Sequence, residues 1–224
     1  MTHMPRRPEP ELMNDAEQAR AYSEADFTSA HDGFVALAKE HLGHVDAGSA
    51  VLDLGCGPAD VTVRFARAYA GVVVDGIDGA EQMLALGRAR IASQGLADRV
   101  QLAHGYVPGC ALPRASYDAV ISNSLLHHLH DPQALWSTVK RAAKRGAPVF
   151  VMDLMRPASE QAAHDLVDHY AAGEPKVLRD DFYASLLAAY TVDEVRTQLA
   201  TSGLGALTVT TVTDRHFIVS GRAP

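Results

Sequence analysis

The chain has 224 residues, with 20 lysines and arginines against 27 aspartates and glutamates, so its formal net charge is −7. An acidic chain does not offer the broad basic face with which many proteins bind nucleic acids. No apolar run approaches the roughly 18–20 residues of a membrane-spanning helix, and the first residues lack the basic-then-apolar pattern of a signal peptide. Two cysteines cannot build a disulfide framework. The composition therefore predicts a single cytoplasmic domain with no nucleic-acid or membrane partner.

The beginning of the chain is polar and interrupted by prolines, so residues 1–13 are predicted to be a loose tail. A helical pattern follows, and residues 14–47 are predicted to form a helical cap. From residue 50 onward, short apolar runs alternate with helical patterns. The predicted strands are 50–54, 72–77, 100–103, 117–122 and 148–153, and the predicted helices between them are 60–70, 80–93 and 132–144.

The last third of the chain departs from this alternation. Residues 158–200 have a helical pattern broken near Gly173 and Pro175, and the part from 157 to 190 is predicted to be an insertion or lid. Residues 191–224 are predicted to supply a helix and two edge strands, 207–213 and 215–220. The whole pattern predicts a doubly wound, Rossmann-like α/β domain whose core is 48–156, with a mostly parallel sheet and a C-terminal antiparallel hairpin.

The stretch Asp53-Leu-Gly-Cys-Gly-Pro lies where the first strand turns into a helix. Without side chains, Gly55 and Gly57 allow a sharp turn and a close approach of a ligand to the backbone. Asp78 follows 21 residues after Gly57, at the end of the next strand, where a carboxylate can accept hydrogen bonds from both hydroxyls of a ribose. These paired features predict a nucleoside-containing cofactor.

Two carboxylates distinguish this turn from a dinucleotide site. Asp60 occupies the position of the third glycine of G-x-G-x-x-G, where its charge would repel a pyrophosphate. Asp53 places a second negative charge at the same turn. The sequence therefore favours a cationic cofactor, and a nicotinamide dehydrogenase is a more distant alternative.

Three segments resemble class I S-adenosylmethionine-dependent methyltransferases. They are Val51-Leu-Asp-Leu-Gly-Cys-Gly, Gly76-Ile-Asp-Gly-Ala-Glu-Gln-Met-Leu and Tyr117-Asp-Ala-Val-Ile-Ser-Asn-Ser-Leu-Leu-His-His-Leu-His-Asp-Pro. The resemblance runs from about residue 50 to residue 153. It implies that the turn surrounds the methionine part of the cofactor, that Asp78 binds the ribose and that Met83 packs on the adenine. Tyr106 departs from the resemblance, because the family often has an aspartate there that reaches the adenine. The implied cofactor-binding set is Asp53, Gly55, Cys56, Gly57, Asp78, Gly79, Met83, Gly105, Tyr106 and Asn123.

Three histidines follow the fourth strand. By the resemblance, His127 lies four residues before Asp131, as the general base does in small-molecule O-methyltransferases, whereas His128 fits a supporting pattern. His127, His128, His130 and Asp131 are metal-ligating residue types, but adjacent histidines rarely face one ion, so no metal site is predicted. The two segments that are expected to cover the site suggest substrate contacts from Tyr22, His128, Arg156 and Tyr183.

The leading hypothesis is transfer of a methyl group from S-adenosylmethionine to an O or N atom of a small metabolite, which leaves S-adenosylhomocysteine. Since the sulfonium is already activated, alignment of the reactants can supply much of the rate enhancement, with or without His127. The alternatives are methylation of RNA or protein, and a non-catalytic partner protein that binds the cofactor. The acceptor is not specified by the sequence, and a homodimer is among the oligomeric states that it leaves open.

Overall fold

A computed structural model of the chain describes residues 4–10, 12, 15–112 and 115–224, without the side chains of residues 16–18. Its sheet has seven strands in the order β3-β2-β1-β4-β5-β7-β6. The first five strands run parallel, and β7 is antiparallel to both β5 and β6. The strands are β1 (Ala50–Leu54), β2 (Val73–Asp78), β3 (Val100–His104), β4 (Ala119–Asn123), β5 (Pro148–Leu154), β6 (Thr208–Thr211) and β7 (His216–Arg222). The predicted fold class is confirmed.

Helices cover both faces of the sheet. On one face, α2 and α3 bury Phe34 and Phe65 against the strands. On the other, α5 and α8 bury Trp136 and Leu199. No helix in the described part of the chain has both the length and the apolar character needed to cross a membrane. The helices are α1 (Ala16–Glu24), α2 (Thr28–Leu42), α3 (Asp60–Ala68), α4 (Glu81–Ser93), α5 (Gln133–Ala142), α6 (Glu160–Tyr170), α7 (Lys176–Ala188) and α8 (Val192–Ser202), and a 3₁₀ turn spans Leu126–His128.

Some boundaries differ from the predicted ones. The fourth strand begins at Ala119 rather than 117, because Tyr117 instead forms an isolated bridge with Ala143. The region 158–200 contains a further break before α8, where Thr191 and Glu194 form a capping box: each side chain accepts a hydrogen bond from the backbone N–H of the other. Such a box stabilises a new helix start. The predicted start of the first helix at residue 14 lies outside the described residues.

The N-terminal segment 4–10 lies along α7 and the 3₁₀ turn. The Arg6 guanidinium donates to the carbonyls of Ala188 (2.5 Å) and His127 (2.8 Å), and it stacks over the Tyr190 ring at 4.1 Å. The backbone N–H of Arg7 donates to the Leu187 carbonyl at 3.0 Å. The prediction of a loose tail is therefore wrong for residues 4–10, which pack on the domain. They do so because the Arg6 side chain donates hydrogen bonds to several backbone carbonyls at once.

Candidate cofactor site and the adjoining histidine pair

A cavity opens at the carboxyl ends of β1, β2 and β4, where ligands bind in doubly wound sheets. Its empty volume is about 1030 Å³ with the open mouth included, which is on the scale of small-molecule sites. Most of the predicted cofactor residues line it, as do Leu12 and the α1 residue Tyr22. The lining residues that the sequence predicted for the cofactor are Asp53, Gly55, Cys56, Gly57, Asp78, Gly79, Met83 and Asn123.

The glycine turn has the form that the sequence predicted. Both glycines have positive φ, +74° at Gly55 and +51° at Gly57. A Cβ on Gly55 would lie 2.8 Å from the Leu125 Cβ, so that position is closed to a side chain, whereas nothing lies within 4 Å of a Cβ on Gly57. The backbone of Gly57 therefore borders open space in the cavity, which a ligand can approach closely.

Asp78 ends β2 and is held by backbone hydrogen bonds. Its Oδ2 accepts from the Gly57 N–H and its Oδ1 from the Ala80 N–H, each at 2.8 Å. Burial raises the pKa of this carboxyl, while the backbone donors oppose the rise. Each oxygen keeps a further lone pair, so the carboxylate can accept from two neighbouring hydroxyl groups. This is the arrangement that ribose binding requires.

Asp53 lies at the base of the cavity and is 2% exposed. Burial raises its pKa to about 7, against the opposing hydrogen bond that its Oδ2 accepts from the Thr62 hydroxyl at 2.6 Å; the nearby Asp78 adds to the rise. A carboxyl with a pKa of about 7 is partly protonated near neutral pH. A cationic ligand nearby would favour the charged form.

This raised pKa makes the stability of the protein depend on pH. Because the folded state holds the Asp53 proton more tightly than the unfolded chain, the folded state loses stability as pH rises from about 4 to about 7. The uncharged Asp53→Asn variant does not undergo this loss of stability. Between pH 5 and pH 8, the difference in unfolding free energy, variant minus wild type, should therefore increase by on the order of 2 kcal/mol. Urea unfolding at both pH values tests this. A difference that does not change with pH would contradict the assignment.

The third carboxylate, Asp60, begins α3 and is compensated by basic groups. Its Oδ2 accepts from His31 Nδ1 at 2.5 Å and from Arg64 Nε at 2.7 Å. The hydrogen bond from His31 is the main cause of the lowered pKa of this carboxyl, with Arg64 contributing in the same direction. Asp60 thus stays charged beside Asp53 and Asp78, and all three line the same cavity. His31 was not predicted as a site residue, and its position on the buried face of α2 is the only sequence signal for it.

Two predicted cofactor residues are not among the described residues that line the cavity. Tyr106 is 53% exposed, and its ring lies 5.2 Å from that of His104, edge to face. Gly105 packs close to Cys110 instead, since a Cβ at this position would lie 2.8 Å from the Cys110 Cβ. Val107 reaches the cavity wall in their place. The cofactor contacts predicted for Gly105 and Tyr106 therefore have no direct support in this geometry.

The adjacent histidines differ in what they face. His127 is 2% exposed, and its Nδ1 donates to Asp153 at 2.6 Å. Although burial lowers the pKa of His127, the Asp153 and Glu9 carboxylates raise it by more. His128 lines the cavity, and burial, with His127 beside it, holds the pKa of His128 well below its usual value. His128 is therefore a neutral ring at the cavity wall, whereas His127 lies behind it.

The predicted substrate residues also fall into two groups, those that line the cavity and those that do not. Tyr22 lines the cavity, and burial, followed by the charges of Asp60 and Asp78, raises the pKa of its phenol to about 12. The structure does not bring Arg156 there, because its guanidinium binds Glu194 at 2.6 Å and the Ala189 carbonyl at 3.0 Å. Nor does it bring Tyr183, whose ring stacks on His164 with centroids 4.3 Å apart.

Comparison with known proteins agrees with this geometry. Residues 51–146 match the model of a family described as a methyltransferase domain. A ubiquinone/menaquinone biosynthesis C-methyltransferase from Marinomonas sp. is 28% identical over 119 residues, which make up 52% of this chain and 47% of that protein. A 27-O-demethylrifamycin SV methyltransferase from Amycolatopsis mediterranei is 29% identical over 161 residues, 70% of this chain and 54% of that protein. The chain spans about half the length of these curated relatives.

Among solved structures, a SAM-dependent methyltransferase from Aquifex aeolicus has the same fold. The two match with a TM-score of 0.70 and 19% identity, over 94% of this chain and 99% of that one. The sheet order, the glycine turn and the ribose-type carboxylate agree with the family match. Residues 51–146 therefore match a methyltransferase domain, the fold is that of a solved SAM-dependent methyltransferase, and S-adenosylmethionine is the cofactor that these matches and the geometry of the cavity support.

Proposed function

We propose that this protein transfers a methyl group from S-adenosylmethionine to an O or N nucleophile of a small metabolite. The observation that supports this most is the enclosure of the cavity. Leu12, which precedes α1, and Tyr22 of α1 form part of the same wall as Val107, Leu125 and Leu129. A space bounded from several sides and lined largely by apolar side chains is suited to a small molecule rather than to a polymer chain.

The bound cofactor would supply a methyl group on a positively charged sulfur. Within this chain, Asp78 would orient the ribose, the backbone at Gly57 would border the cofactor, and Asp53 would favour its positive charge. Asn123 and His128 line the cavity toward the 3₁₀ turn, where an acceptor has room to bind. Holding the acceptor atom in line with the methyl group lowers the barrier without any further catalytic group.

The sequence also suggests His127 as the general base, and that role stays a proposal. Its Nδ1 is engaged by Asp153 and its Nε2 lies 3.6 Å from Glu9, so a proton from the acceptor would have to pass His128 first. We expect His127→Ala to reduce turnover more than cofactor affinity. Turnover on the true substrate at the wild-type level would remove His127 from the chemistry.

Methyl-labelled S-adenosylmethionine tests the proposed function. The protein is incubated with it and with separate metabolite, RNA and protein fractions of a cell extract, and S-adenosylhomocysteine formation is followed in each. Label in the metabolite fraction is the expected result, and the ¹³C shift of the transferred methyl group tells O, N and C acceptors apart. Label in RNA or protein, or on carbon, would contradict the proposed acceptor. Cofactor binding without any transfer would favour the non-catalytic partner protein.

The names of the two curated relatives described above support a small acceptor but not one type of atom. One relative is named as a C-methyltransferase of quinone biosynthesis and the other for methylation of a rifamycin. Both printed substrates are small molecules. We therefore retain a small metabolite as the substrate class, and the label experiment decides the acceptor atom.

A further inference from the structure

Glu9, His127 and His128 form a cluster at the edge of the cavity. The Glu9 Oε1 lies 3.2 Å from His128 Nδ1 and 3.6 Å from His127 Nε2, and one ligand-type atom from each residue lies within 4.8 Å of the others. The 3₁₀ turn brings the two rings together, with centroids 4.2 Å apart. The sequence offered His127 and His128 as ligand types but predicted no metal site, and Glu9 was not considered because it belongs to a segment that was predicted to be a loose tail.

The hydrogen bonds of the two rings determine which nitrogens carry lone pairs. Because His127 Nδ1 donates to Asp153, its Nε2 is the ring nitrogen left to bind a proton or a metal ion. The backbone of Pro10 bonds to the His128 ring. His128 Nδ1 is buried and has no hydrogen-bond partner, so the bond to Pro10 falls to Nε2. His127 Nε2 and His128 Nδ1 therefore both face the Glu9 carboxylate, an arrangement that a shared cation would stabilise.

The distances from Glu9 Oε1 to the two ring nitrogens agree with a common ion. Ligands held about 2.0–2.1 Å from a tetrahedral zinc ion lie about 3.3–3.4 Å from each other, and the two separations from Glu9 Oε1 are 3.2 and 3.6 Å. Asp153 holds the far nitrogen of His127, as carboxylates commonly do behind metal-binding histidines. We propose that Glu9, His127 and His128 bind one divalent first-row transition metal ion, of which Zn²⁺ is the type.

This ion would have two consequences for the protein. It would attach the N-terminal segment to the 3₁₀ turn, in addition to the bonds that Arg6 makes there. It would also leave a coordination position free, since three protein ligands do not complete a tetrahedral shell. Because His128 lines the cavity, that position lies near the space assigned to the acceptor. Metal binding itself does not depend on the proposed methyl transfer, but it occupies His127 Nε2, so a metal-bound His127 would not be the general base considered above.

Titration of the metal-free protein with Zn²⁺ in a calorimeter tests the proposal. The expected result is one ion per chain, with affinity at least about tenfold weaker in Glu9→Gln and in His128→Ala. His44→Ala is the matched control, because His44 and Asp46 form an exposed histidine–carboxylate pair at 2.9 Å, and we expect it to retain wild-type affinity. Circular dichroism shows whether each variant is folded.

A measurement on the wild-type protein covers the case in which a variant does not fold. Zn²⁺ should shift the side-chain ¹⁵N resonances of His127 Nε2 and His128 Nδ1, and leave those of His44 unchanged. Two results would overturn the proposal: no binding of a stoichiometric ion, or stoichiometric binding that survives Glu9→Gln.

Discussion

Replacing Asp78 with alanine is expected to weaken the binding of S-adenosylmethionine by about a hundredfold or more. Each hydrogen bond to a charged group contributes roughly 1.5–3 kcal/mol, and the carboxylate is placed to accept one from each ribose hydroxyl. The variant also leaves the N–H groups of Gly57 and Ala80 without their partner. Calorimetry with S-adenosylmethionine and S-adenosylhomocysteine measures the effect, and both ligands should lose affinity because both carry the ribose.

Two further variants make this result specific. Asp98→Asn removes an exposed carboxylate from the turn before β3, at the opposite edge of the sheet, and should bind the cofactor as the wild type does. Asp78→Asn keeps one acceptor oxygen and should fall between the wild type and Asp78→Ala. If Asp78→Ala is folded and binds the cofactor with unchanged affinity, Asp78 does not belong to the cofactor site.

The cofactor half of the site could be predicted because its geometry is local. Residues 53–57 are the end of β1 and the turn after it, and Asp78 ends the neighbouring strand β2. The parallel pairing of Asp53 with Gly76 and of Leu54 with Ile77 sets the distance between them. Once the strands are recognised, the turn and the carboxylate must meet at one edge of the sheet. The fold class could be predicted for a similar reason, because the alternation of strands and helices is also visible in short stretches of sequence.

The other half depends on packing that has no sequence period. Glu9 reaches the histidines because Arg6 and the backbone of Arg7 attach residues 4–10 to α7, and because the Ser185 hydroxyl donates to the Glu9 carboxylate. Arg156 follows the fifth strand, close in sequence to the predicted site. Its guanidinium nevertheless forms a salt bridge with Glu194, which the capping box of α8 holds in place. A residue's distance from a strand end therefore does not predict which partner its side chain finds.

The second large effect is expected at Gly57. Asparagine tolerates the left-handed region better than other residues with a side chain, so Gly57→Asn should fold, with a cost of about 1 kcal/mol or less. Its side chain would enter the open space beside Gly57 and displace the cofactor, which should lower affinity by about a hundredfold or more. Calorimetry with S-adenosylmethionine measures this loss.

Gly95→Asn is the matched control. Gly95 follows α4 with φ of +66° and nothing within 4 Å of an added Cβ, so the substitution makes the same backbone demand without facing the cavity. Denaturant unfolding should show a similar small cost in both variants, whereas only Gly57→Asn should lose the cofactor. Equal cofactor affinity in the two folded variants would mean that the space beside Gly57 is not where the cofactor binds. Asp78 would then have to contact the cofactor from another side of the glycine turn.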